Sequence, residues 1–246
     1  VDASKGQVQA YWNDHPCGEG LTSSARGSSA YFDDIEAAKD RLEPFVHDFA
    51  DFPRWRGRRV LEIGCGVGTD TVRFARAGAE ITAVDLTETA VTLTRGHLEQ
   101  LGLPGEVRQA DAESLPFADG SFDLVWSWGV LHHTPDTARA VGEVARVLAP
   151  GGEARIMLYN RHSLFALGVW ALRGALQRRS LAAALETVES PGTKGYTRAE
   201  LAALFAGFAD VDIRTIATPY DRRVAGPLAA ALPRLGWNHL ITARPA

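Results

Sequence analysis

Between about residues 58 and 160, short runs of apolar residues recur at regular intervals. They are separated by longer stretches with apolar positions every three or four residues. The short runs are Arg58 to Ile63, Ile81 to Leu86, Glu106 to Ala110, Ser121 to Trp128 and Glu153 to Tyr159. Several are apolar nearly throughout rather than at alternate positions, as expected of strands buried on both faces of a parallel sheet. The intervening stretches carry helical spacing, so the pattern predicts strands and helices in alternation around one doubly wound α/β sheet.

The flanks break this rhythm. Gln7 to Trp12 reads as the end of a short helix, and Asn13 to Gly18 as a turn. Gly20 to Ser29 reads as a mobile loop, and Tyr31 to Phe49 as a helix interrupted at Pro44. Arg161 to Val188 reads as one or two helices, apolar from Leu164 to Leu172 and basic at Arg173, Arg178 and Arg179. A loop follows from Glu189 to Gly195. Thr197 with Glu200 forms a capping box, and the last strands are placed at Val211 to Ala217 and His239 to Ala243. The expected organisation is a lid over 1–57, a ligand-binding core over 58–160, a helical insertion over 161–195 and the rest of the core over 196–246.

The chemistry concentrates in Val60-Leu61-Glu62-Ile63-Gly64-Cys65-Gly66-Val67-Gly68-Thr69. A strand that ends in spaced glycines and turns helical lets backbone approach a bulky ligand without a Cβ in the way. A dinucleotide fingerprint would space the glycines G-x-G-x-x-G, with no acid in the strand end. Here the spacing is G-x-G-x-G behind Glu62, and an acid there suits a cationic ligand better than a pyrophosphate. Two more acids, Asp85 and Asp111, close the second and third strands. As alternatives to ligand contacts, each could cap a helix. Arg146 to Gly152 precedes the fifth strand in the same order. With these motifs in sequence, the chain resembles the class I S-adenosylmethionine-dependent methyltransferases over roughly residues 58–160.

The resemblance implies a Rossmann-like, mostly parallel sheet of seven strands whose last strand is antiparallel. It implies S-adenosylmethionine as cofactor, with S-adenosylhomocysteine as its product. Glu62, Gly64, Gly66 and Gly68 would surround the methionine portion. Asp85 would accept from the ribose hydroxyls, and Leu86 would pack on the adenine. Asp111, Ala112 and Glu113 would hold the adenine edge. Trp126, Ser127 and Tyr11 complete the expected cofactor contacts. An aromatic face beside a sulfonium stabilises it by about 0.5–2 kcal/mol, although either tryptophan could instead be core.

The acceptor side is expected to draw on Trp12, His15, Tyr31, Trp128, His133 and Tyr159. His132 is the candidate base for a hydroxyl or amine, with backbone hydrogen bonding as its other reading. The string Tyr11 to Gly18 is read as part of the lid, with packing on the sheet rim as the alternative. The apolar stripe of the insertion could pack on the domain, line a pocket, join a dimer or touch a membrane surface with its arginines.

Composition narrows the partners. The chain has 246 residues, is 46% hydrophobic and 23% charged, and carries a net charge of −4. That is ordinary for a globular domain and lacks the basic excess of a nucleic-acid binder. Two cysteines, Cys17 and Cys65, do not make a disulfide framework. No metal site is expected, since His15 and Cys17 are too few ligands. With no signal peptide and no apolar run of membrane-spanning length in view, the cytoplasm is the default compartment and stable membrane insertion is not expected. A homodimer stays open. The expected activity is methyl transfer to an oxygen or nitrogen of a small molecule, of the secondary-metabolite kind. Where resembling base-amine methyltransferases carry Asn/Asp-Pro-Pro-Tyr, this chain reads Ser127-Trp128-Gly129-Val130. Carbon methylation of a quinone, sterol or prenyl compound, or cofactor binding without turnover, are the alternatives.

Overall fold

The computed structural model describes residues 4–174, 178, 180–185 and 190–245. Five strands come first: β1 (Arg59–Ile63), β2 (Glu80–Asp85), β3 (Glu106–Gln109), β4 (Phe122–Trp128) and β5 (Leu148–Tyr159). Two more, β6 (Phe208–Ile216) and β7 (Asn238–Pro245), complete a sheet ordered β3-β2-β1-β4-β5-β7-β6. β1 to β5 pair in parallel, and β7 runs antiparallel between β5 and β6. The chain winds outward from β1 to β3, then restarts at β4 on the other side of β1. That reversal leaves a crevice beyond the C-terminal ends of β1 and β4, where open α/β sheets bind ligands.

The central strands are buried on both faces, and successive residues serve opposite layers. Val60, Leu124, Trp126 and Met157 join one core with Phe49, Phe52 and Phe74. Leu61, Ile63, Val125 and Ile156 join the other with Val141, Val144 and Phe205. The helices filling these layers include α4 (Thr69–Ala77), α5 (Glu88–Gln100) and α6 (Thr137–Val147). α1 (Lys5–Asp14), α2 (Ser29–Leu42) and α3 (Phe45–Ala50) precede β1. Pro44 divides α2 from α3, as the sequence predicts. Arg73 of α4 binds α2 through Glu36 and Asp40, and reaches Asp70 on its own helix.

Some boundaries differ from expectation. β5 begins at Leu148 rather than Glu153, because Leu148 pairs with Phe122 before a register shift. β6 begins earlier than Val211 and β7 runs longer than His239 to Ala243. β6 is largely exposed to half-buried, so its apolar signal is weak. The segment from Gly20 to Ser29, expected to be a loose loop, is pinned. Arg26 pairs with Glu19 at 2.5 Å, and Thr22 and Ser24 both donate to Asp34.

The insertion contains α7 (Leu164–Val169), a wide turn over Trp170–Gly174 and α8 (Leu181–Leu185). Arg179 of its basic run lies outside the described residues. The remaining helices are α9 (Arg198–Leu204), α10 (Pro219–Ala225) and α11 (Leu228–Ala231). One buried acid ties this region together. The Asp221 carboxylate accepts from Thr218 N and Oγ1 at 2.8 and 2.9 Å, Trp237 N at 2.8 Å and Phe165 N at 3.2 Å. It thereby joins α7, α10 and the entry to β7. Asp221→Ala orphans buried donors whose partner was a charge, at about 1.5–3 kcal/mol for each such bond lost. Urea unfolding is expected to show a stability loss of at least about 2 kcal/mol. A loss below about 0.5 kcal/mol, the range of a neutral surface change, contradicts the role given to Asp221.

Candidate functional site

At the crevice lies a cavity of about 600 Å³. Its floor is made by strand ends. The β1 turn brings Glu62, Gly64 and Gly66, β2 brings Asp85 and Leu86, and the segment after β3 brings Asp111, Ala112 and Glu113. Gly64 has φ +83°, and a Cβ there would stand 2.1 Å from Val130 Cγ2. Gly66 has φ +55°, and its N–H donates to Asp85 Oδ2 at 3.1 Å. The turn thus closes on the neighbouring strand end and leaves backbone, not side chain, against the cavity.

The three acids have distinct surroundings. Glu62 is buried and accepts from the Thr71 hydroxyl. Burial, with the Asp70 charge next, pushes its carboxyl up to about 8, so it holds a proton at neutral pH. Asp85 also receives Thr87 N at 2.9 Å and Thr87 Oγ1 at 2.8 Å. Its pKa is raised by burial despite those hydrogen bonds. Asp111 accepts from Glu113 N at 2.9 Å, and Lys5 of α1 bridges Asp111 and Glu113 at 2.5 and 2.7 Å.

α1 lies across this end of the cavity. Gln9 Nε2 donates to the Leu86 carbonyl at 2.9 Å, and the Trp12 ring meets His133 edge-on at 5.3 Å. Trp12 lines the cavity, whereas Tyr11 and His15 stack on each other at 4.8 Å and do not. The cofactor contact expected of Tyr11 and the acceptor contact expected of His15 are therefore not met. The two rings lie one helical turn apart, and Nδ1 of His15 bonds the Tyr11 carbonyl.

Four further expectations are corrected by packing. Trp126 is fully buried beneath Trp128, stacked at 5.4 Å, with its Nε1 donating to Asp70 Oδ2 at 3.1 Å. Only Trp128 of the pair lines the cavity, and its Nε1 donates to Glu43 at 2.9 Å. Ser127 faces the other layer, fully buried, and donates to the Ile63 carbonyl. Tyr31 is 1% exposed in a small core with Phe32, Ile35, Val67 and Leu93. Gly68 precedes α4 and abuts Thr94 without lining the cavity.

His132 is the seventh correction. It is fully buried, neither ring nitrogen has a hydrogen-bond partner among the described residues, and it does not line the cavity. Burial, with the neighbouring His133 next, holds its pKa well below the usual value. It packs on Tyr159 at 3.9 Å as a neutral ring. His133, in the same turn, does line the cavity, with Nδ1 at 2.9 Å from Ser190 Oγ and 3.2 Å from Thr193 Oγ1.

Beyond the floor the wall turns aromatic. Tyr159 stacks on Trp237 at 4.1 Å, and Phe165 meets Trp237 at 4.9 Å and Tyr220 at 5.7 Å. Sequence reasoning missed Phe165, Tyr220 and Trp237, which come from separate segments. It also missed Lys39, which lines the cavity and pairs with Asp70 at 2.8 Å. Burial opposes the Lys39 charge, but Asp70 and then Glu43 more than offset it. A signal was present, since Lys39 shares the inward stripe of α2 with Ile35 and Leu42.

The donor set fits an S-adenosyl cofactor. Acids stand at three consecutive strand ends, and the two lysines lining the cavity are already paired to carboxylates. That favours a ligand with cationic groups, ribose hydroxyls and an amino-purine over one with phosphates. Fold and site together define an α/β protein built to hold S-adenosylmethionine. Residues 61–156 match the model of the family described as methyltransferase domain. The chain is 38% identical over 120 residues to a ubiquinone biosynthesis O-methyltransferase of Aromatoleum aromaticum, covering 48% of this chain and 50% of that protein. It is 36% identical over 129 residues to the 27-O-demethylrifamycin SV methyltransferase of Amycolatopsis mediterranei, covering 50% and 47%. The chain spans about half the length of these curated relatives. The solved structure of the [4+2]-cyclase SpnF superposes with a TM-score of 0.63 over 100% of this chain and 98% of that one, at 20% identity. That likeness is one of fold. Over residues 61–156, then, the chain carries a methyltransferase domain, with the fold of the class I S-adenosylmethionine-dependent enzymes around it.

Glu62 gives a test of the floor. A carboxyl that keeps its proton up to about pH 8 when folded, against 4.5 ordinarily, stabilises the fold most at low pH. The contribution fades as pH rises from 4.5 towards 8. Without cofactor, the stability advantage of the wild type over Glu62→Gln is expected to shrink across that window, by up to about 1.4 kcal/mol per pH unit. Urea titrations at several pH values read it. Parallel stability curves contradict a protonated Glu62.

Proposed function

We propose that the chain transfers a methyl group from S-adenosylmethionine to a hydroxyl oxygen of an apolar, ring-bearing small molecule. The observation that carries this reading is the two-part cavity, acidic at the strand ends and aromatic beyond them. The two relatives named above are both methyltransferases, one of ubiquinone biosynthesis and the other of 27-O-demethylrifamycin SV. When bound, the cofactor supplies an electrophilic methyl carbon on a sulfonium.

The chain's own residues hold, orient and exclude water. Glu62 would hold the ammonium, Asp85 the ribose and Asp111 the adenine amino group, while Gly64 and Gly66 would give the backbone clearance. Trp128 presents a ring face held by its bond to Glu43 and its stack on Trp126. Tyr159, Phe165, Tyr220 and Trp237 grip the acceptor by its rings. Such positioning in a dry site is the main source of rate for an in-line displacement.

His133, not His132, is the residue placed to receive the acceptor's proton. The Thr193 hydroxyl donates to the Ser190 carbonyl at 2.8 Å, so towards Nδ1 it accepts. Receiving the proton at Nε2 requires the tautomer in which Nδ1 carries the hydrogen, which either hydroxyl can accept. Nε2 is buried with Trp12 edge-on to the ring, so this role requires α1 to shift. Residues 1–57 would then act as a lid, in keeping with the gating common in such sites.

Incubation with S-adenosylmethionine and a panel of phenolic and macrocyclic alcohols is expected to yield S-adenosylhomocysteine and a product one methyl group heavier. His133→Ala is expected to lower turnover by about 10²-fold or more while S-adenosylhomocysteine affinity stays nearly unchanged. Methylation at carbon, read by NMR of the product, replaces the oxygen assignment. Cofactor binding with no methylated product from any acceptor supports a non-methylating role.

A further inference from the structure

The roof of the cavity has an outer side that the reaction does not use. Phe165 of α7 and Tyr220 of α10 line the cavity, but Leu167 and Val224 of the same helices are exposed. The two helices touch where Val224 meets Gly168. Next to them, Trp170, Leu172, Leu228 and Leu232 are exposed as well, with Leu172 at 80% and Leu228 at 64%. Single exposed leucines need no explanation, but six large apolar side chains on adjoining elements do.

The charge on these elements is one-sided. Residues 164–174 contain one arginine and no Asp or Glu, and residues 219–238 contain three arginines and the single acid Asp221. Asp221 is fully buried and spent on Thr218, Trp237 and Phe165. Arg222, Arg223 and Arg234 are exposed, and Arg223 lies over Tyr220 at the cavity wall at 5.8 Å. A chain of net charge −4 thus concentrates positive charge on its most apolar surface, beside the acceptor end of its cavity.

We propose that the face formed by α7, α10 and α11 docks on an anionic phospholipid bilayer. Trp170, Leu172, Leu228 and Leu232 enter the interfacial zone, and Arg222, Arg223 and Arg234 meet lipid phosphates. Short helices with leucine and tryptophan beside arginine lie in that zone rather than cross it, and no helix among the described residues is long and apolar enough to span a membrane. The charge pattern selects this occupant. A second copy packed by two-fold symmetry would bring Arg222, Arg223 and Arg234 near their own equivalents, with no acid among the described residues of the face free to pair them. An anionic surface supplies the complement and orients the otherwise acidic chain. Docked so, the aromatic wall faces the phase in which an apolar acceptor is dissolved.

The test is co-sedimentation of the full chain with vesicles of phosphatidylcholine alone and of phosphatidylcholine mixed with phosphatidylglycerol. Binding is expected only to the mixed vesicles, weakening steeply with added salt. Leu228→Glu with Leu232→Glu, and separately Arg222→Glu with Arg223→Glu, are expected to weaken it by about tenfold or more. S-adenosylhomocysteine affinity should stay unchanged as the check on folding. Salt dependence of the wild type needs no variant and stands if one fails to fold. The proposal is overturned by no binding to mixed vesicles, by equal binding to neutral ones, or by variants that bind like the wild type. It is equally overturned by a solution dimer that Leu228→Glu dissociates.

Discussion

Withdrawing carboxyl groups wholly or partly from water at strand ends is costly unless something meets them, and the cavity is organised by that cost. Glu62 meets it by keeping its proton, Asp85 by collecting hydrogen bonds from Gly66 and Thr87, and Asp111 by pairing with Lys5. Each solution is provisional in the chemical sense. A proton can leave when an ammonium arrives, a carboxylate oxygen can take further hydroxyl donors, and a lysine on a helix can move with it. The sheet makes the arrangement unavoidable, because β1, β2 and β3 are neighbours and their C-terminal ends open on one side.

The N-terminal helices and the C-terminal roof are fastened to this floor by different means. α2 is held by ion pairs, through Arg73 and Lys39, with the latter also facing the cavity. The roof is held by Asp221, which satisfies backbone groups of two separate segments. α1 makes lighter contact, through Lys5, Gln9, the Trp12 ring, the buried Val8 and long hydrogen bonds at Asn13 and Asp14. An element fastened by few groups has the least to lose on opening, which matches the gating role proposed for it.

The core was legible because its strands are apolar on both faces and its glycines and acids sit at strand ends, where position along the chain decides position in the site. Glu62, Asp85 and Asp111 could be placed for that reason. The rest depended on packing between distant segments. Trp126 and Trp128 share a face, as alternation dictates, but Phe49 and Phe52 of the N-terminal segment contribute to the aromatic core that covers Trp126. Two adjacent histidines in one short turn point to different surroundings, and the Ser190 and Thr193 hydroxyls that hold His133 come from far along the chain. Phe165, Tyr220 and Trp237 meet where Asp221 ties their segments together, and no local pattern announces that.

The claim on which the account rests is that acids at the strand ends hold the adenosyl cofactor. Its most direct measurement is calorimetric binding of S-adenosylhomocysteine to the wild type and to Asp85→Ala, with folding of the variant checked by circular dichroism. Losing hydrogen bonds to a charged partner is worth about 1.5–3 kcal/mol, so binding should weaken by about one to two orders of magnitude in a folded protein. Equal affinities in the two proteins would return Asp85 to a turn-forming role and contradict the account.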